Sequence, residues 1–190
     1  MNHTPQIKKA IQFAARKHHG QLRIAHDGPM PYITHLFSVA LLVAEDGAPD
    51  DVVIAALLHD TLEDTDTTRK ELAETFGERV TVLVEAVTES SDRNLSWKVR
   101  KQAYLDQIEH ADPEALLVAI ADKVDNVEDR IAEYEKEGES FLSRWSQPNE
   151  EYLWFYGECL RIAENRLPDH PLTKRLQEAH DRQLAVFASY

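Results

Sequence analysis

The sequence predicts an all-α fold, a single helical bundle of about 8–10 helices. Apolar residues recur every three or four positions along most of the chain, which is the spacing of one helix face. Glycine, proline and capping residues separate these segments. The 190 residues suit one domain over 1–190, with a core at about 5–135 and a C-terminal helical extension at about 140–190.

Five helices are predicted in the first half of the chain. Thr68 and Glu71 have the Thr-x-x-Glu form of a capping box, which opens one of them. Asp50 is predicted to cap another. The predicted helices cover 5–18, 34–45, 50–62, 68–76 and 78–88, and a loop with glycine and two prolines covers 20–32. The valines of 78–88 also permit a strand.

The second half of the chain has clear helix boundaries. Asp112 and Pro113 form a strong start signal, and Gly138 suits the end of that helix. A helix at 96–108 precedes it. Residues 141–167 are rich in Trp and Tyr and form either one long helix or a pair, and a final amphipathic helix covers 172–187.

Composition limits the partners and the location of the protein. The net charge of −13 disfavours long nucleic acids, which need a broad basic face, but permits a small phosphorylated ligand. No apolar stretch reaches the length of a membrane span. Residues 1–20 lack a signal sequence, and Cys159 as the single cysteine fits a reducing compartment, so we expect a cytoplasmic protein. The sequence leaves open whether the protein forms a homo-oligomer.

Three apolar runs each carry a potential metal ligand at one end. The run 35–44 begins with His35, the run 52–60 ends in His59-Asp60, and the run 115–122 ends in Asp122. A helix that is apolar on every side lies in a core, where a charged carboxylate is unfavourable unless it is paired or binds a metal. Two histidines and two aspartates on buried segments therefore predict one metal centre.

Residues one helical turn away add polar groups beside this centre. Glu63 and Asp64 follow the His-Asp pair by four positions, and Asn126 follows Asp122 by four. Imidazole and carboxylate donors without a thiolate suit Mn²⁺, Fe²⁺, Co²⁺ or Zn²⁺. Such a metal lowers the pKa of bound water and polarises a phosphoryl oxygen, so the pattern is typical of a hydrolase.

The order of these ligands resembles that of the HD-domain phosphohydrolases. Residues 56–65 (ALLHDTLEDT) further resemble the hydrolase domain of RelA/SpoT enzymes and the free-standing small alarmone hydrolases. The resemblance runs from about Phe13 to Arg130. It also includes 20–23, 31–35, 76–77 with Val80, 87–88 and 121–126.

The resemblance implies a site and a reaction. The implied ligands of one divalent cation, Mn²⁺ in this branch, are His35, His59, Asp60 and Asp122. Glu63 and Asp64 match the acidic pair associated with hydrolysis. The implied nucleotide contacts are Arg16, Lys17, Arg23 and Asn126. The implied reaction removes the 3′-pyrophosphate from (p)ppGpp and leaves GDP or GTP.

Two further residues are expected to contact the nucleotide because of their chemistry. Lys101 belongs to a second basic group, and Tyr152 could stack on a base. Asp125 departs from the family pattern, because it replaces an aromatic residue or His and puts a negative charge near a polyanion.

The substrate alternatives are (p)ppApp, the 2′-phosphate of NADPH and a nucleoside monophosphate. A non-catalytic nucleotide-sensing domain is the other alternative.

Overall fold

The structure is a computed structural model, and it describes residues 4–23, 28–92 and 94–187. Its helices and strands follow in this order: α1 (Pro5–Lys17), β1 (Leu22–Arg23), β2 (Met30–Pro31), α2 (Ile33–Glu45), α3 (Asp50–Leu58), α4 (Thr61–Asp64), α5 (Arg69–Phe76), α6 (Glu78–Glu85), α7 (Trp97–His110), α8 (Pro113–Glu137), α9 (Glu139–Leu142), α10 (Asn149–Arg166) and α11 (Pro171–Phe187).

The all-α prediction is confirmed. Within the described residues, nine helices have eight or more residues, and α4 and α9 are single turns. The predicted loop at 20–32 also holds a short antiparallel ribbon, in which Leu22 pairs with Pro31 and Arg23 with Met30. Strands of two residues are too short to show an alternating pattern, so the sequence did not reveal them. None of the described helices is long and apolar enough to cross a bilayer.

Helix α8 is the centre of the packing, with contacts to α2, α3, α7, α10 and α11. It begins as predicted, because the Asp112 side chain accepts a hydrogen bond from the Glu114 amide at 2.9 Å and Pro113 occupies the first helical position. It ends at Gly138, whose φ of 62° is a conformation that glycine adopts without strain. The central position of α8 brings its middle turn against α2 and α3, which carry the other predicted metal ligands.

The predicted helix over 50–62 is interrupted at the His-Asp pair. Helix α3 ends at Leu58 and α4 begins at Thr61, while Pro49 rather than Asp50 takes the capping position of α3. The His59 ring donates to the Ala56 carbonyl at 2.8 Å, and the Thr61 hydroxyl donates to the Leu58 carbonyl at 2.6 Å. These side chains hydrogen-bond carbonyls of the last helical turn and compete with the backbone amides for them.

Other boundaries differ from the prediction by a few residues. A helix forms over Glu78–Glu85 in place of the strand alternative, and it ends three residues earlier than predicted. The aromatic segment 141–167 is divided between α9 and α10. The side chain of Thr68 accepts from the Glu71 amide at 3.2 Å, as the capping-box pattern predicts.

The packing around α8 predicts a large stability difference between two leucine truncations. Leu116 on α8 is fully buried, whereas Leu41 on α2 is 49% exposed. We expect Leu116→Ala to lower the free energy of unfolding by roughly 2–5 kcal/mol, because it leaves a cavity in the core. Leu41→Ala should change it by less than about 1 kcal/mol. Urea denaturation followed by circular dichroism measures both, and equal losses would contradict the packing.

Candidate metal centre

The four predicted ligands converge from three parts of the chain. His35 lies in the first turn of α2, His59 and Asp60 lie between α3 and α4, and Asp122 lies on α8. His35 Nε2 is 3.2 Å from Asp122 Oδ1 and 3.7 Å from Asp60 Oδ2. His59 Nε2 is 3.0 Å from Asp60 Oδ2 and 3.8 Å from Asp122 Oδ1. These distances bring two imidazole nitrogens and two carboxylates together, and both histidines are buried.

The second nitrogen of each histidine is already engaged. His35 Nδ1 is 2.6 Å from Asp125 Oδ2, and His59 Nδ1 donates to the Ala56 carbonyl at 2.8 Å. Both Nε2 atoms therefore face the cluster. His59 Nε2 is buried and makes no hydrogen bond to any described residue, since Asp60 Oδ2 is close but lies outside hydrogen-bonding geometry. An unsatisfied imidazole nitrogen beside carboxylate oxygens is the donor set that a divalent cation fits.

Protons balance the charge of this cluster. Burial lowers the pKa of His35, but the hydrogen bonds with Asp122 and Asp125 outweigh burial and raise it to about 9. Burial opposes ionisation of Asp60, but the adjacent His59 and His35 hold the pKa of that carboxyl far below its usual range. A divalent cation would take the place of these protons, because an imidazole ligand must be neutral.

Tyr32 and Lys123 also belong to the site, although sequence reasoning did not select them. The Tyr32 hydroxyl donates to Asp60 Oδ2 at 2.7 Å. The Lys123 ammonium contacts Asp122 and lies 4.6 Å from the centre of a buried tyrosine ring on α7. Burial disfavours the charge on Lys123, but Asp122 raises its pKa well above the usual value. The sequence feature that could have identified Lys123 as a site residue is its position directly after the predicted ligand Asp122.

The two acidic residues of α4 have different surroundings. Glu63 lines the same cavity as His35, Asp60 and Asp122, and its Oε2 accepts from the Glu89 amide at 3.1 Å. Desolvation of this carboxylate, with the nearby charges of Asp60 and Glu89, raises the pKa of Glu63 to about 7. Asp64 is not among the residues that line that cavity, and its Oδ2 accepts from Gln21 Nε2 at 2.9 Å.

Three adjoining cavities surround the centre, and Asn126 lines all of them. The cavity with the ligands has a volume of about 140 Å³ and also contains Lys101. A cavity of about 330 Å³ contains Arg23, and one of about 270 Å³ contains Lys101 and Tyr152. Four of the predicted nucleotide contacts, Arg23, Lys101, Asn126 and Tyr152, therefore line cavities that share Asn126 with the cavity of the cluster.

The other two predicted contacts lie at the end of α1. Lys17 pairs with Asp66 at 2.9 Å and with Glu71 at 3.0 Å, and Arg16 is exposed. Neither residue is among those that line the three cavities. Their contact with a nucleotide stays a prediction.

The fold and this donor set define an HD domain. The family model described as "HD domain" matches residues 10–142, and the chain belongs to this family. Among curated proteins, the chain is 44% identical over 126 residues to the guanosine-3′,5′-bis(diphosphate) 3′-pyrophosphohydrolase of Aquifex aeolicus. That match covers 66% of this chain and only 18% of the Aquifex protein. The human enzyme of the same name, MESH1, is 44% identical over 126 residues, which is 65% of this chain and 69% of MESH1.

Two solved structures extend the likeness beyond the family match. A metazoan orthologue of SpoT, described as hydrolysing ppGpp, superimposes with a TM-score of 0.77 at 26% identity. It covers 96% of this chain and 98% of its own. A Listeria monocytogenes protein gives a TM-score of 0.70 at 28% identity, over 87% of this chain and 99% of its own.

Proposed function

We propose that this protein is a metal-dependent hydrolase that removes the 3′-pyrophosphate from (p)ppGpp and leaves GDP or GTP. The observation that carries the proposal is the cluster of His35, His59, Asp60 and Asp122, three of which line one cavity with Glu63 while His59 lies behind Asp60 at 3.0 Å. The activity named for the Aquifex protein and MESH1 supports the same substrate.

The residues around the cavity have separate roles in this reaction. His35, His59, Asp60 and Asp122 would hold a divalent cation, which when bound supplies Lewis acidity and lowers the pKa of water. Glu63 accepts the proton of the attacking water, because it lines the ligand cavity and its burial among carboxylates raises its pKa above that of an ordinary glutamate. The water oxygen bonds to the 3′-linked phosphorus as the bond between that phosphorus and the 3′-oxygen breaks. The proton taken up by Glu63 passes to the 3′-oxygen, which leaves as the hydroxyl of GDP or GTP, and pyrophosphate carries the oxygen of the water.

Cations on the cavity wall stabilise the charge that develops on the phosphate. Lys101 and Lys123 both line the ligand cavity and the adjoining cavity of about 270 Å³. Fixed positive charges aimed at the phosphoryl oxygens favour the transition state most where water is excluded. Arg23, which lines the cavity of about 330 Å³, and Tyr152, which lines the cavity of about 270 Å³, are proposed to contact the rest of the nucleotide.

The cation in this proposal is Mn²⁺. Nitrogen and oxygen donors without a thiolate favour Mn²⁺ over metals that select sulfur.

Asp64 is proposed to support Glu63 from the neighbouring position on α4.

We also propose that residues 1–190 form one domain. Helices α10 and α11, which follow the family match, pack on α8. The Arg175 guanidinium on α11 binds both oxygens of Glu128 on α8 at 2.9 Å. A cytoplasmic location remains a prediction from the cysteine content.

A turnover assay with four substrates tests the function. The chelator-stripped protein is incubated with ppGpp, ppApp, NADPH or GMP, before and after addition of Mn²⁺, and the products are separated by anion exchange. We expect GDP and pyrophosphate from ppGpp only after Mn²⁺ is added. Consumption of NADPH or ppApp with ppGpp untouched would contradict the substrate. A metal-loaded protein that binds ppGpp without turnover would favour the nucleotide-sensing alternative.

A further inference from the structure

Asp125 lies directly behind one of the metal-facing histidines. Its Oδ2 is 2.6 Å from His35 Nδ1, and the side chains of Asp125 and His35 are only 13% and 2% exposed. The sequence predicts Asp125 as a negative charge near a polyanionic substrate. The structure instead shows that His35 and Arg23 both contact its carboxylate, with Arg23 Nη1 at 3.4 Å.

The two histidines of the cluster are oriented by different partners. His59 Nδ1 donates to a neutral backbone carbonyl, that of Ala56, whereas His35 Nδ1 faces an anionic carboxylate. A charge-assisted hydrogen bond is shorter and stronger than a neutral one. The carboxylate holds the proton on Nδ1, so that a neutral His35 would present the lone pair of Nε2 to a cation held beside Asp122 and Asp60.

Arg23 contacts the same carboxylate oxygen of Asp125 as His35 does. Its Nη2 donates to Asn126 Oδ1 at 2.9 Å and pairs with Asp129 Oδ2 at 3.2 Å. The guanidinium therefore contacts three polar residues of α8, Asp125, Asn126 and Asp129. It offsets the charge of Asp125 and restricts the rotation of its side chain.

We propose that Asp125 is a positioning residue of the metal centre. Its carboxylate fixes the tautomer and the ring orientation of His35, raises the basicity of Nε2 and so tightens the binding of the divalent cation. This inference rests on the proposed metal site, and it adds to that site a residue that does not itself touch the cation.

Metal affinity of the nucleotide-free protein provides the test. Chelator-stripped Asp125→Ala, Asp125→Asn and wild-type protein are titrated with Mn²⁺ by calorimetry. We expect Asp125→Ala to weaken Mn²⁺ binding by about 10–100-fold, the usual effect of losing such a partner. Asp125→Asn keeps an acceptor without the charge, so it should recover part of this loss.

Asp129 on the same helix offers a matched control. It also pairs with Arg23 but makes no contact with His35 among the described residues, so Asp129→Ala removes the same charge without touching the ligand. We expect it to change Mn²⁺ affinity by less than about threefold, well below the loss at position 125. Equal losses in Asp125→Ala and Asp129→Ala, or wild-type affinity in Asp125→Ala, would overturn the proposal.

A spectroscopic measurement separates positioning from a merely structural effect. In Zn²⁺-loaded protein with ¹⁵N-labelled histidine, the His35 Nδ1 proton should be strongly deshielded and should move upfield in Asp125→Asn. An unchanged resonance would contradict the proposal even if Asp125→Ala failed to fold. None of these measurements uses a nucleotide, so an absence of ppGpp hydrolysis would refute the proposed substrate and leave this inference standing.

Discussion

The Asp60→Ala variant is expected to lose its bound metal and about 10³-fold or more of its ppGpp turnover. A metal that acts as a Lewis acid contributes several kcal/mol to the transition state, and each 1.36 kcal/mol is about a tenfold change in rate. Asp60 supplies one of the two carboxylates of the cluster and contacts both His59 and Tyr32. Initial rates and metal content by mass spectrometry measure the two losses together.

Asp51→Ala is the matched control for this variant. Asp51 is an exposed aspartate in the first turn of α3, the helix that leads to the His-Asp pair. Its replacement should leave turnover and metal content close to those of the wild type. Full turnover and metal content in Asp60→Ala would show that the cluster is not the active site.

The Glu63→Gln variant should retain metal and lose about 10²–10⁴-fold in kcat, the usual contribution of a general base. The pKa of Glu63, raised to about 7 by desolvation and the nearby carboxylates, also predicts a pH dependence. Below this pKa, Glu63 is protonated and cannot accept a proton, so wild-type activity should fall as the pH decreases. A bound dication lowers the pKa, which places this ascending limb at or below about pH 7.

The pH profile distinguishes a base from a residue that only shapes the cavity. In Glu63→Gln, the ascending limb assigned to Glu63 should disappear along with the loss of rate. Glu74→Gln, at an exposed position of α5 paired with Lys70, should keep both the rate and the profile. If Glu63→Gln kept the wild-type kcat and the same limb, another group would have to be the base.

The buried helices could be predicted because their sequences report burial directly. The run that ends in Asp122 is apolar on every side, and α8 is indeed central to the packing. The start of α8 could also be predicted from the local sequence, because two adjacent residues, Asp112 and Pro113, determine where the helix begins. Ligands at the ends of such runs could be selected because a charged group in a dry segment needs a partner.

The details of the site depend on contacts that no local pattern contains. Asp125 meets His35 across 90 residues and Arg23 across 102, so its role could not be inferred from spacing along α8. The interruption of the helix at His59 depends on side chains that bind backbone carbonyls, which helical periodicity does not report. The family resemblance implied Lys17 as a nucleotide contact, and Asp66 and Glu71 are its partners in the structure.

Hydrolysis of ppGpp in ¹⁸O-labelled water is the most direct test of the central claim. Attack of water on the 3′-linked phosphorus puts the label into pyrophosphate and leaves GDP unlabelled. We predict this labelling pattern by mass spectrometry for the Mn²⁺-loaded protein, and no product from the chelator-stripped protein. Label in GDP, release of a single phosphate, or equal turnover without metal would contradict metal-dependent cleavage of the 3′-pyrophosphate.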